Sequence, residues 1–251
     1  MEPYYYQTLS KAEQSSYQAM QAGLQAFAPS FPVPLLENRA LTDVFMKLRL
    51  DCPQLFYAGT FQYRYYPDSR NAELIPAYLF EKGKLKEHQK ALQSRVEKLV
   101  RPAARCSDEE KLLYIHDFIC KNVRYDKLKK QYSHEIIGVL GHGVGVCEGI
   151  AKAVKILCDA LQIQCIIALA ENNPEKGVKY RHAWNVVRLD KKYYHLDCTF
   201  DLSLGNPEEI RYDYFLLSDK QIFRDHERLV WRVPACEVGG QAVLGRQPLV
   251  P

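Results

Sequence analysis

Ile150, Ala151, Val154, Leu157, Cys158 and Leu161 recur at the i, i+3/i+4, i+7 spacing of a single helical face, with Lys152, Lys155, Asp159 and Gln162 opposite. The pattern predicts an amphipathic helix packed on a core. A glycine-rich approach, GHGVGVCEG, delivers Cys147 to its first turn. Upstream, Ser10 and Glu13 read as a capping box for a helix to about residue 27, and a second helix is expected over 36–50. TFQYRYY (60–66) alternates like a strand, turns at Asp68, Ser69 and Asn71, and returns over 74–80. A polar helix follows over 84–104, and Ser107 with Glu110 caps another that ends near Tyr125-Asp126. Beyond the cysteine helix come a buried strand (164–170), a loop (171–177), a hairpin (181–198), a strand (212–217) and a short helix capped by Ser218.

Composition narrows the function. The 251 residues are 47% hydrophobic and 25% charged, which is ordinary for a globular protein with a core of its own. The net charge of +4 is spread among acidic residues, with no basic stripe to bind nucleic acid. No apolar run approaches the ~18 residues of a membrane span. The N-terminus lacks a signal-peptide pattern, so the expected compartment is cytoplasmic. Eight cysteines without a CxxC pair read as free thiols in a reducing compartment, with no structural zinc, no metal and no cofactor expected.

The chemistry centres on Cys147. A helix N-terminus has backbone N–H groups without intrahelical partners and a positive dipole end. Such a place, beside an imidazolium, lowers thiol pKa values from about 8.5 into the 3.5–7.5 range. A cysteine at a helix start also reads as structural core, so a base is needed to choose between the two. RHAWNVVRL (181–189) and KYYHLDC (192–198) are β-rich runs split by Asp190-Lys191. If those two residues form the loop, Leu189 faces Lys192 and Trp184 faces Asp197. His182 and Asp197 then become diagonal neighbours on one face, about 7–8 Å apart at Cβ. A carboxylate there fixes the imidazole tautomer and leaves the other ring nitrogen for a nucleophile. Trp184 shares that face and reads as core or as a shield for the pair. His195 also shares it, which leaves a weak metal reading with His182, Asp197 and Cys147.

The chain resembles the transglutaminase-like superfamily, of papain-like fold, on IHDFICKNVRYD (115–126), GVGVCEGIAKA (143–153), RHAWNVV (181–187) and YYHLDCTFD (193–201). The likeness is good over 107–202 and weaker in the flanks, where it is to accessory regions of bacterial members. It implies Cys147 as nucleophile, His182 as base and Asp197 as orienter, 35 and 15 residues apart in that order. The Cys147 N–H is the first oxyanion donor. No tryptophan precedes Cys147 to serve as the second, and Tyr132, His134 or Trp184 are the candidates for oxyanion or support roles. The fold expected is α+β, with the cysteine helix packed on an antiparallel sheet. Three segments are expected: a helical accessory region with a hairpin (1–105), the catalytic domain (106–235) and a Gly- and Pro-rich tail (236–251). The activity implied is acyl transfer on a peptide or protein amide through a thioester, as peptidase, amidase or transglutaminase. The rival is a non-catalytic peptide-binding scaffold that keeps the fold. Neither hydrolysis nor transamidation, nor an oligomeric state, is selected by these residues.

Overall fold

Alternation and helical periodicity sort the chain into an α+β fold. The computed structural model describes residues 2–206 and 208–240. It divides into two compact units, 2–90 and 91 onwards. The division falls inside one continuous helix, α4 (Lys82–Val100). Of the expected tail, residues 241–251 lie outside the described residues.

In the first unit, α1 (Tyr4–Gln7), α2 (Lys11–Gln25) and α3 (Asn38–Asp51) accompany the antiparallel strands β1 (Phe31–Pro34), β2 (Ala58–Tyr65) and β3 (Asn71–Tyr78). The Ser10–Glu13 capping box starts α2. At the end of α3, the Asp51 carboxylate accepts the Tyr5 and Tyr6 N–H groups at 3.0 Å and the Tyr17 hydroxyl at 3.2 Å. β1 was not legible in the sequence, because Pro32 and Pro34 argue against a strand. Both are tolerated here because β1 is an edge strand that pairs with β3 alone.

In the second unit, the Ser107–Glu110 box caps α5 (Asp108–Asn122), and the chain then enters β4 (Arg124–Tyr125). A turn at 137–141 leads into β5 (Val144–Gly145), which pairs in parallel with β4 and hands the chain to α6 (Cys147–Ala160). The strands β6 (Cys165–Leu169), β7 (Ala183–Leu189), β8 (Lys192–Leu196) and β9 (Phe215–Leu217) form an antiparallel sheet in that order. α7 (Cys198–Leu204) and α8 (Asp219–Ile222) complete the unit. α6 lies against β6 and β7, and α5 packs on α6 and α7. No described helix is long and apolar enough to cross a membrane.

The apolar stripe of α6 is buried as its period predicts, but its other face is not solvated. Lys152 is 0% exposed and Lys155 is nearly buried. The reason is the 131–136 segment, which folds over the first turn of α6. It can do so because residue 149 is glycine: a Cβ there would meet the Ser133 carbonyl oxygen at 2.2 Å. The segment brings Glu135, whose carboxylate oxygens each lie 2.9 Å from Lys152 Nζ. Glu148 adds a contact at 2.8 Å, and the His134 carbonyl accepts at 3.1 Å. Removing one partner of a buried pair strands the other's charge, a loss of about 3–5 kcal/mol. Lys152→Ala is therefore expected to lower the stability of the 91–240 unit by that amount, read as a reduced urea midpoint. Lys155→Ala, whose Asp159 partner is more exposed, is expected to cost clearly less.

Candidate active site

Three chain segments supply the site. α6 presents Cys147 as its first residue, with Val146 as N-cap and partial exposure. The β4–β5 pairing sets that position: Arg124 N–H bonds the Gly143 carbonyl and Asp126 N–H the Gly145 carbonyl. Gly143 takes φ +64°, which suits a residue without a Cβ.

The hairpin supplies the other two residues in the expected register. Leu189 faces Lys192 and Asn185 faces Leu196, and the turn residues Asp190 and Lys191 both have positive φ, as a tight two-residue hairpin loop requires. The β7–β8 ladder stops one pair before Trp184 and Asp197. His182, just before β7, is still anchored, since its carbonyl accepts the Ala170 N–H at 2.8 Å. Asp197 departs from the strand expected over 192–198. It is the N-cap of α7, and its Oδ1 accepts the Thr199 N–H at 2.9 Å and the Phe200 N–H at 3.1 Å. Its Oδ2 accepts His182 Nε2–H at 2.6 Å. The remaining ring nitrogen of His182 is free for Cys147, its second hydrogen-bonding partner.

Cys147 and His182 line one cleft of about 280 Å³, with Tyr125, Val178, Tyr180 and Phe200 among its walls. Burial opposes the charge of His182. The Asp197 carboxylate and the Cys147 sulfur outweigh it and push the ring up to about 10 from 6.5. Asp197 is fully buried, which disfavours its charge, but His182 and a second histidine hold it below the usual carboxylate range. The arrangement is thus a thiol and an imidazole in one cleft, backed by a buried carboxylate.

Of the other sequence candidates, Tyr132 and His134 lie elsewhere and Trp184 lies against His182. Tyr132 packs its ring on His142, and His134 faces Glu148 at 3.4 Å; neither lines the cleft. The Trp184 ring stacks on His182 at 5.7 Å and shields it. Its indole N–H is committed to His195 Nδ1 at 2.9 Å, so it has no proton to offer an oxyanion. Tyr125, which the sequence reading did not single out, is the side chain at Cys147. Its hydroxyl lies near the Cys147 backbone N–H, and burial with the nearby sulfur raises its pKa. His226 was also missed: its Nε2 reaches Asp197 Oδ2 at 2.9 Å. The only sequence signals were the tyrosine ending IHDFICKNVRYD and the Asp225-His226 pair.

Two triplets bring potential metal ligands within 4.8 Å: His182, Asp197 and His226, and His195, Asp219 and Cys236. Both are hydrogen-bond sets. In the first, two ring N–H groups donate to one carboxylate oxygen. In the second, the Trp184 N–H points at His195 Nδ1, so the proton sits on Nε2 and is given to Asp219 at 2.8 Å.

Because folding raises the His182 pKa, its contribution to stability is full below about 6.5 and is lost as pH climbs through about 10. Melting curves from pH 6.5 to 10.5 are expected to show an alkaline decline in the wild type that is shallower in His182→Ala. Equal slopes would contradict the pairing.

Residues 93–198 match a family model described as the transglutaminase-like superfamily. No curated protein matches the chain. One similar solved structure is the crystal structure of a TGase, at 12% identity and a TM-score of 0.39, covering 57% of this chain and 44% of that one. Another is a candidate cysteine protease from Cytophaga hutchinsonii, at 16% identity and a TM-score of 0.36, covering 56% of this chain and 61% of its own. The chain thus spans less than two thirds of either.

Proposed function

We propose, from the match of residues 93–198 to the transglutaminase-like superfamily, that the chain is a cysteine-nucleophile acyl-transfer enzyme acting on peptide or protein amides. The observation that carries the reading is His182 held between the buried Asp197 carboxylate and Cys147 within an open cleft. His182 takes the thiol proton and keeps it as an imidazolium, with Asp197 fixing the tautomer. The Cys147 sulfur adds to the amide carbonyl carbon, and the carbonyl oxygen becomes an oxyanion. As the tetrahedral adduct collapses, the C–N bond breaks, the nitrogen takes the proton from His182, and a thioester remains. Water or an amine then adds to the thioester, gives its proton to His182, and releases Cys147 to accept that proton back.

Tyr125 is the second oxyanion donor in this reading. Its hydroxyl already sits at the Cys147 N–H, where the oxyanion must form. When the carbonyl oxygen arrives, it takes the backbone N–H, and the phenol O–H turns to donate to the same oxygen.

Two measurements test the proposal. Iodoacetamide at pH 6 is expected to label Cys147 faster than the other seven cysteines, and His182→Ala is expected to abolish that preference. Labelling of Cys147 no faster than the rest would leave the fold as a binding scaffold. A peptide-library digest with and without added amine, with Cys147→Ala as blank, separates hydrolysis from transamidation. On any substrate so found, Tyr125→Phe is expected to lower kcat about 10²-fold with little change in KM. An unchanged kcat would remove Tyr125 from the reaction.

A further inference from the structure

The Asp197 carboxylate holds more than an orienting role needs. With Oδ1 filled by two backbone N–H groups, Oδ2 takes two imidazoles, His182 at 2.6 Å and His226 at 2.9 Å. The second ring is buried, its side chain 1% exposed. Its Nδ1 lies 2.7 Å from Asp225 Oδ1, and the Tyr214 hydroxyl donates to the other oxygen of Asp225. Both nitrogens of His226 therefore face carboxylate oxygens, which only accept. Nε2 must carry a proton to bond Asp197 Oδ2. The two histidine rings lie 5.3 Å apart, centroid to centroid, over one shared anion.

We propose that His226 is a positioning residue that rations the Asp197 carboxylate, so that His182 holds its proton less tightly than it would with Asp197 to itself. The inference rests on the proposed Cys147, His182 and Asp197 triad. In that mechanism His182 must both keep a proton beside the thiolate and release it to the departing nitrogen. A carboxylate given wholly to His182 favours keeping. A second N–H on the same oxygen favours release.

The other titratable groups around the pair are already committed. His195 is held by Trp184 and Asp219, Asp201 by His116 and the Tyr214 N–H, and Glu227 by Lys176 and Asn173. His226 is also held from outside the triad's own elements. It follows α8, and the residues just after it are tied to the β6 edge by Glu171 N–H to the Arg228 carbonyl and Val230 N–H to the Leu169 carbonyl, both 2.8 Å.

The test needs no substrate. Iodoacetate is an anion, so its attack on Cys147 requires the thiolate and is favoured by the imidazolium. The rate against pH should be a bell whose alkaline limb reports loss of the His182 proton. Rates at the Cys147 peptide are measured by mass spectrometry for wild type, His226→Phe and His226→Gln, with melting temperatures alongside. His226→Phe is expected to raise the alkaline limb by about one pH unit. His226→Gln keeps an N–H donor and is expected to raise it less; if the Phe variant does not fold, the Gln profile decides. An alkaline limb that stays put or falls, whatever happens to the melting temperature, overturns the inference and leaves the triad standing. A wild-type rate that rises through a single limb near that of an ordinary thiol, without a bell, overturns the triad and the inference together.

Discussion

The strand register of the β7–β8 hairpin is the constraint on which this molecule depends. Side chains alternate faces every residue, so a one-residue slip would send Asp197 to the face opposite His182. The turn at Asp190 and Lys191 fixes that register locally, at the cost of two non-glycine residues in the left-handed region. Burial reinforces it from both sides, since residues 183–187 of β7 are buried. Asn185 ties the strand to α6, its amide donating to the Ala151 carbonyl at 2.9 Å. The hydrogen bond from His182 to Asp197 thus forms just beyond the end of a ladder that the core already specifies.

Charge in the interior is managed by a few closed sets. Lys152 is matched by Glu135 and Glu148, and His116 bridges Asp117 and Asp201 beneath α7. Burial works against the charge of His116, but its two carboxylate neighbours more than offset that and push its pKa well up. These pairs flank the two helix starts that matter, α6 at Cys147 and α7 at Asp197. Replacing them with apolar residues of similar volume can preserve stability in proteins, yet here each pair also fixes where a helix begins. Their value lies in geometry at least as much as in energy.

What was legible in the chain was what local chemistry decides. Ser10 and Ser107 start their helices as capping boxes, the α6 stripe has a clear 3.6 period, and the Asp190-Lys191 split sets the hairpin pairing. The long-range pieces left no local trace. β1 is hidden by its prolines. Lys152 looks like a solvated lysine because nothing near it in sequence announces Glu135, 17 residues earlier. Tyr125 reaches Cys147 only through the parallel β4–β5 pair, and His226 meets Asp197 from 29 positions away. Tyr132, His134 and Trp184 were sensible candidates by proximity to the cysteine or histidine, but ring packing, a Glu148 contact and an indole bond to His195 engage them elsewhere.

The segment at 228–230 has a second effect. Sheets end in rows of unpaired N–H and C=O groups that invite another chain to add a strand. Alongside β6, that invitation is withdrawn at Leu169 to Glu171, because the chain folds back and fills the positions itself. The stretch that seats His226 on Asp197 therefore also guards the sheet against self-association. A change that loosens residues 228–230 would then uncover that stretch of edge and unseat His226 at the same time.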